Sequence, residues 1–528
     1  NLEETKQRYI NWWNHKGIIL SMWEHFQEGV KPHADIAPPA PARDLSQKWF
    51  DPQWRAEYLD WYVAHSSLMA DMLPVANTQL GPGSLAAILG GVFEGGEDTI
   101  WIHPDPNFND EIVFNPEHPN WLLHKELLKA CKAKANGNYF VGMPDLMEGL
   151  DVLAALKGTD MVLLDTVMQP EVLEQQMQQI NDIYFKVFDE LYDIIREGDE
   201  MAFCYFSSWA PGKMSKLQSD ISTMISQDDY RRFVQPFIRE QCQKIDYTLY
   251  HLDGVGAMHH LPALLEIEEL NAIQWTPGVG EPQGGSPKWY DLYKKILAGG
   301  KSVMACWVTL EELKPLLDHI GADGVHLEMD FHNEREVEQA MRIIEEYTGS
   351  SSSVSADVHT NQPVGEQDNA QESIRIREEK SQEEDRMKPL YDAIVAGKLE
   401  PAVEVTKDAI AAGVLPQDII NGYMITAMGE VGQRFQDGKA FVPQLLMAGR
   451  AMKGALELLK PLLAGNASAT IGKIVIGTVK GDLHDIGKNL VASMLEGCGF
   501  EVINIGIDVT CDKFVEAVKE NKADILCM

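Results

Sequence analysis

Two groups of residues in this 528-residue chain place ionisable side chains where they could do chemistry. The first is the loop Gly481-Asp482-Leu483-His484-Asp485-Ile486-Gly487-Lys488-Asn489, which follows the strand-like run Ile474–Val479. An imidazole held there can ligate a transition metal through one ring nitrogen while a carboxylate engages the proton on the other. Asp482 and His484 can form that pair, with Asp485 beside them, and Gly487 lets the backbone pass close to a bulky ligand as a helix begins. A lone loop histidine is more commonly a plain surface residue; this one is singled out by its place at the carboxyl end of a strand, where open α/β sheets bind ligands. The second group consists of polar residues at the ends of other strand-like runs: Tyr205, Ser207, His251, Asp253, Gln274, Cys306, Glu328 and Asp330. His251, Asp253 and Glu328 offer nitrogen and oxygen donors of the kind Zn²⁺ accepts. Hydrogen bonding at a domain rim is the plainer alternative for them.

The elements that must position these residues are legible in outline. Apolar runs at Ile18–Trp23, Tyr139–Met143, Met201–Phe206, Thr248–Leu252, Ala272–Trp275, Ser302–Cys306 and Gly324–Met329 alternate with helical stretches, and Val162–Leu164 reads either as a further strand or as a helix end. That rhythm predicts repeated βα units, and roughly 350 residues suit a (β/α)₈ TIM-like barrel with its chemistry at the strands' carboxyl ends. Residues 349–385 are polar and charged with few apolar anchors, the signature of a disordered linker. Residues 386–465 then carry apolar residues at helical spacing in four segments punctuated by Gly397, Gly413 and Gly438, which predicts a four-helix bundle. From residue 470 to 528 the pattern changes to strand, glycine loop, helix, strand and helix, the opening of a flavodoxin-like doubly wound domain. The chain begins at Asn1 rather than Met and stops within a strand-like run at Met528, so both ends read as truncated, the last domain most clearly.

The Asp482-x-His484-x-x-Gly487 pattern, with Gly499-Phe500-Glu501-Val502-Ile503-Asn504-Ile505-Gly506 after it, closely resembles the cobalamin-binding domains of methionine synthase and of corrinoid methyl-carrier proteins. The resemblance extends upstream, where Met428-Gly429-Glu430-Val431-Gly432 and Phe441-Val442-Pro443 are similar to the helical cap of those carriers. It implies that His484 is the lower ligand of a corrinoid cobalt, that Asp482 hydrogen-bonds it, and that the bundle, Met428 included, covers the reactive face. The methionine-rich face of the cap is more often plain core packing.

Residues 1–348 are identified as resembling the uroporphyrinogen decarboxylase superfamily, through Gly81-Pro82-Gly83, Thr99-Ile100-Trp101, Ser219-Asp220, His251-Leu252-Asp253-Gly254 and Ile273-Gln274-Trp275-Thr276-Pro277-Gly278. That superfamily contains porphyrinogen decarboxylases and zinc-dependent methyltransferases that work with corrinoid proteins. The arginine-rich segment with which decarboxylases hold a polycarboxylate is replaced here by His15-Lys16-Gly17-Ile18-Ile19-Leu20-Ser21-Met22-Trp23. The His-x-Cys and later Cys of the thiol-using methyltransferases become His251-Leu252-Asp253 and Glu328. The resemblance implies catalytic roles for His251, Asp253, Glu328 and Asp220, with Zn²⁺ held by the first three.

The reading that follows is corrinoid-dependent methyl transfer between a small methylated substrate and cobalamin on the same chain, with a second methyltransferase and a reductive activator as partners. Three rivals differ in class: transfer from a methyl-corrinoid to a thiol or tetrahydrofolate, a decarboxylase fused to a carrier, and a non-catalytic corrinoid store or sensor. A net charge of −35, from 45 basic and 80 acidic residues, disfavours nucleic acid and anionic membranes. The seven scattered cysteines and the lack of a long apolar run point to reduced thiols in the cytoplasm.

Overall fold

A computed structural model describes residues 2–22, 36–97, 99–206, 208–348, 380–463, 472–480, 486–497 and 500–528. The chain divides near Ser353 into two compact units.

The strands of the N-terminal unit are β1 (Ile18–Met22), β2 (Val75–Ala76), β3 (Val92–Gly95), β4 (Ile100–His103), β5 (Phe140–Met143), β6 (Met201–Phe203), β7 (Trp209–Ala210), β8 (Met214–Leu217), β9 (Tyr247–Asp253), β10 (Ala272–Thr276), β11 (Ser302–Val308) and β12 (Val325–Met329). Six form a parallel sheet in the order β1-β12-β11-β10-β9-β8, so the first strand lies beside the last, with Ile18 opposite Val325. A second sheet runs β2-β5-β6-β7 and is parallel except for β7, while β3 and β4 form an antiparallel hairpin. The described strands thus make two parallel arcs rather than the single eight-stranded ring expected from sequence. Strands β1, β5 and β12 are buried along their whole length, as parallel strands covered by helices must be.

All seven apolar runs contain strands at those places. The eighth, Val162–Leu164, lies inside a helix, Thr159–Met168. Val162 and Leu163 are buried whereas Met161 and Val167 are exposed, a distribution with helical rather than twofold period.

The C-terminal unit opens with helices Lys380–Val395 and Leu399–Ala411. The first begins inside the predicted linker, because a charged run without apolar anchors can still propagate a helix whose later turns are fixed by packing; residues 349–379 of that linker lie outside the described residues. A third helical stretch comprises Pro416–Ile419, a wider π turn at Ile420–Met424, and Ile425–Gln436, and a fourth helix is Val442–Leu463. Gly397, at φ +66°, sits where a Cβ would come within 2.6 Å of Met447 Cβ, so its lack of a side chain permits the close approach of the fourth helix. The bundle core is built on Met387, Leu390, Ile394, Ile419, Met424, Met452, Leu456 and Leu459.

Strands β13 (Lys473–Ile476), β14 (Glu501–Asn504) and β15 (Ile525–Cys527) follow, all parallel, in the order β14-β13-β15. The chain leaves the central strand for one neighbour and returns for the other, which makes the carboxyl end of β13 a topological switch point. Among the described residues no helix is long and apolar enough to cross a membrane.

Candidate functional site

In the N-terminal unit the carboxyl ends of the parallel strands carry two connected polar networks. The first crosses four neighbouring strands. The His251 Nδ1–H of β9 donates to Gln274 Oε1 of β10. The same amide's Nε2 donates to Thr276 Oγ1 at 2.7 Å and to Cys306 Sγ of β11 at 3.1 Å. The Cys306 thiol in turn donates to Glu328 Oε2 of β12 at 3.3 Å. This arrangement leaves the Nε2 lone pair of His251 facing Asp253, whose Oδ2 is 3.9 Å away. Burial first, and the positive charge of Lys216 second, push the His251 imidazole down to about 3, so it is neutral at physiological pH. Burial and the nearby Glu328 hold the Cys306 thiol well above its ordinary value.

Of the second network only Asp220 was expected from sequence. Lys216 of β8 pairs with Asp145, just past β5, at 2.5 Å, their side chains only 2% and 3% exposed, which brings the carboxyl ends of the two sheets together. Lys216 also donates to Gln218 Oε1, and Gln218 Nε2 donates to Asp220 Oδ2 at 2.8 Å. The Asp151 carboxylate accepts the backbone N–H groups of Asp220 at 2.8 Å and Ile221 at 2.9 Å. Glu148 caps the Gly149–Lys157 helix, accepting from Leu150 and Asp151. Burial, opposed by Lys216, leaves Asp220 at about 6, and burial raises Glu148 to about 7. Asp151 is held well above its ordinary value by burial and by its carboxylate neighbours. Asp220 and Glu148 can therefore hold protons near neutrality in a cluster with Asp151, and the fixed ammonium of Lys216 acts on Asp220.

Backbone strain marks the same rim. Met147 (φ +60°), Phe206 (φ +57°) and Trp307 (φ +55°) are non-glycine residues in the left-handed region. Phe206 packs its ring on His251 at 5.3 Å, and Trp307 occupies a register shift between Cys306 and Val308. Such conformations persist only where the surroundings impose them, and they concentrate at functional sites.

His251, Asp253 and Gln274 are thus in one network, Cys306 and Glu328 continue it, and Asp220 belongs to its neighbour. Tyr205 lies at the end of β6, and Ser207 lies outside the described residues. The structure does not group Glu328 with His251 and Asp253: among the described residues no three His, Cys, Asp or Glu side chains are arranged to hold a metal ion. His251 and Asp253 do present a nitrogen and an oxygen donor as a pair, with Gln274 fixing the other ring nitrogen as ligating histidines require. Lys216, Asp145, Glu148 and Asp151 are the members that sequence reasoning missed. A carboxylate directly after the Tyr139–Met143 run was the available signal.

In the C-terminal unit Asp482, His484 and Asp485 lie outside the described residues, and Gly487 is in the first turn of the helix Ile486–Gly497. The connection carrying them leaves the carboxyl end of β13, at the switch point, where a crevice for a ligand is expected. The backbone on either side is held. Thr478 N–H donates to Gly506 O at 3.1 Å, Asp508 N–H donates to Thr478 Oγ1 at 3.3 Å, and Lys488 Nζ donates to Asn504 Oδ1 at 2.9 Å. The imidazole and two carboxylates that the sequence places in that connection suit a group held through a basic nitrogen, so the donor set fits a corrinoid. Met428 is partly buried against both clusters of the cap, and Met424 and Met452 are fully buried in its core, so these methionines serve packing. Met494 of the α/β domain packs against Val431, Ala440, Leu445 and Ala448 of the cap, joining the two through shared apolar surface.

Two family models, both described as B12 binding domains, match residues 387–460 and 472–528. Trimethylamine corrinoid protein 1 of Methanosarcina mazei is 44% identical over 137 residues, 26% of this chain and 63% of that protein. The dimethylamine corrinoid protein of Methanosarcina barkeri is 42% identical over 144 residues, 27% of this chain and 67% of that protein. Among solved structures, the methanol:cobalamin methyltransferase complex MtaBC from Methanosarcina barkeri matches with 31% identity over 29% of this chain and 61% of that one, at a TM-score of 0.25. The chain spans about three fifths of the length of the trimethylamine corrinoid proteins it matches, and the matched residues lie in its C-terminal part.

Proposed function

Because residues 387–460 and 472–528 match B12 binding domains and the C-terminal part is similar to methylamine corrinoid proteins, we propose that the whole chain is a corrinoid-dependent methyltransferase, its N-terminal unit acting on a small methylated compound. The observation that carries this reading is the presence, on the chain that bears the corrinoid module, of an α/β unit whose strand ends converge on protonatable carboxyls beside a fixed ammonium. The reading includes three domains: residues 1–348 as a (β/α)₈ barrel of the methyltransferase branch of the uroporphyrinogen decarboxylase superfamily, 386–465 as the cap, and 470–528 as the cobalamin domain, joined by 349–385. Adjacency of β1 and β12 supports a barrel, since first and last strands meet in a closed sheet.

Cobalamin, when bound, would supply a low-valent cobalt nucleophile toward a methyl group. The chain's residues serve the other end of the broken bond. Asp220, partly open to solvent and able to hold a proton near pH 6, donates it to the departing oxygen, nitrogen or sulfur. Burial first, and the carboxylates of Asp253 and Asp145 after it, keep Asp220 protonatable, and Lys216 limits how far its pKa rises. His484 is assigned as the lower cobalt ligand, with Asp482 holding its other ring nitrogen. Zn²⁺ on His251 and Asp253, with Glu328, belongs to the same reading. The His251–Asp253 pair supports it, and if bound the metal would polarise the leaving heteroatom. A second methyltransferase to unload the methyl group and a reductive activator complete the system. Sharing one chain sets the local concentration of carrier at the N-terminal unit, on the order of millimolar for a short connection.

The test is to reconstitute the chain with hydroxocobalamin, reduce it, and screen methoxylated aromatics, methylamines, betaines and methyl thioethers. Optical conversion of the reduced cofactor to its methylated form by one donor class is expected, with a large loss of rate in Asp220→Asn. Failure with every donor would remove the proposal.

A further inference from the structure

Arg55 is a buried cation without a counter-charge. It lies in the first turn of the helix Pro52–Ala64, which Asp51 caps through Gln53 and Trp54 N–H, and its residue surface is only 6% exposed. Its Nη2 donates to two backbone carbonyls just past β2, Gln79 O at 2.9 Å and Asn77 O at 3.3 Å, while its Nε is buried with no hydrogen-bond partner. Among the described residues no carboxylate pairs with it. Its nearest titratable neighbours include Cys131, Cys204 and Tyr205, which burial keeps neutral. A guanidinium in a helix's first turn also faces the positive end of the macrodipole. Burying an unpaired charge in this way is costly, and a resident anion would relieve it.

A cavity of about 360 Å³ lies against this arginine, walled by Trp49, Trp54, Tyr58 and Tyr62 and edged by Lys48, Asn77 and Glu97. The rings are fixed: Trp49 Nε1 donates to Gly96 O and Trp54 Nε1 to Ala40 O, each at 2.8 Å, and Trp54 stacks on Tyr58 with centroids 5.4 Å apart. Arg55 and Lys48 already lie over the Trp49 ring, at 5.1 and 5.4 Å. Glu97 also lines the cavity but is exposed, whereas Arg55 is buried, so the two cations outnumber it and the end formed by Arg55 favours an anion carried on a flat, uncharged body. Asn77 and Gln79 follow the carboxyl end of β2, so these two lining residues lie toward the same end of their sheet as Asp145.

We propose that this cavity binds a small aromatic carboxylate, its acid group on Arg55 and its ring between Trp49, Trp54 and Tyr58. That this ligand is the methyl donor, a methoxylated aromatic acid, rests on the function proposed above.

The experiment titrates the full chain, without cobalamin, with benzoate, the isosteric neutral benzamide and trimethylglycine, read by calorimetry and tryptophan fluorescence. Benzoate should bind about tenfold or more tighter than benzamide. The preference should vanish in Arg55→Gln and return in part in Arg55→Lys, a pair that separates charge recognition from misfolding. Equal binding of benzoate and benzamide, no binding of either, or tighter binding of trimethylglycine would each overturn the proposal. In a separate arm 4-methoxybenzoate is offered to the reduced, reconstituted chain. Binding without methylation of the cofactor leaves the carboxylate site standing and removes only the donor assignment.

Discussion

Lys216→Met should destabilise the N-terminal unit by about 3–5 kcal/mol, because it strands Asp145, 3% exposed, as a buried carboxylate without its ammonium. The same cost is expected for Asp145→Asn, which strands Lys216. The pair's own net value is smaller, since both charges were desolvated to form it. The double variant Lys216→Met/Asp145→Asn should therefore recover about 2 kcal/mol or more relative to the sum of the single losses. The assay is urea unfolding followed by tryptophan fluorescence. All 12 tryptophans lie between Trp12 and Trp307, so the signal reports the N-terminal unit within the intact chain. A second readout is chemical: losing Lys216 removes the charge that lowers Asp220, so the protonation of Asp220 should move to higher pH. Single variants costing under about 1 kcal/mol, or losses that simply add, would show that the pair is solvated and that the two sheet ends are not joined through it.

Stability of the N-terminal unit should peak near pH 6.5. Burial raises Glu148 to about 7, so the folded state keeps a proton that the unfolded chain releases, and stability falls as pH rises through about 7. Buried His124, His251, His260 and His326 are pushed down to between about 3 and 4, so only the unfolded chain takes up their protons and stability falls again as pH drops below the ordinary histidine value of 6.5. Glu148→Gln should remove a loss of stability that runs from about pH 4.5 to about pH 7, flattening the fall around pH 7 and steepening the acid limb below 6.5; an unchanged profile would show that Glu148 is ionised in the fold. His484→Ala should change the optical and paramagnetic-resonance spectra of the reconstituted chain and abolish protein nitrogen hyperfine coupling to cobalt, whereas identical spectra would remove the ligand assignment. Elemental analysis should find about one zinc per chain, largely lost in His251→Ala; an active enzyme consistently free of metal would remove the zinc proposal.

What the sequence revealed and what it hid follow from the range of the interactions. Strands β1, β5, β6 and β9 to β12 are rich in apolar and β-favouring residues, and such runs announce themselves locally. Strand β2, two residues long, and β8, whose Lys216 interrupts the apolar pattern, do not. Val162–Leu164 is too short a run to show its period, and only the buried and exposed positions around it settle that it is helical. His251, Gln274, Cys306 and Glu328 were legible because each ends a visible strand. Lys216, Asp145, Glu148 and Asp151 were not, because their pairing joins segments about seventy residues apart, and nothing local distinguishes a buried carboxylate from a solvated one. The aromatic cavity escaped for the same reason: its arginine sits on the helix Pro52–Ala64, whose apolar residues mark no single face in the sequence. In the C-terminal unit the motif itself was the strongest local signal, and the B12-binding matches over 387–460 and 472–528 fall where it and the cap resemblance were found.

The most direct measurement is a single turnover with the reconstituted, reduced chain and a donor whose methyl carbon is ¹³C-labelled, followed by carbon NMR of the cofactor. Label should arrive on the chain's own corrinoid, approaching one methyl per cofactor, and should fail to arrive in His484→Ala and Asp220→Asn. Label that stays on every donor tried, while preformed labelled methylcobalamin is rapidly stripped by a thiol or tetrahydrofolate, would reverse the direction of transfer assigned here.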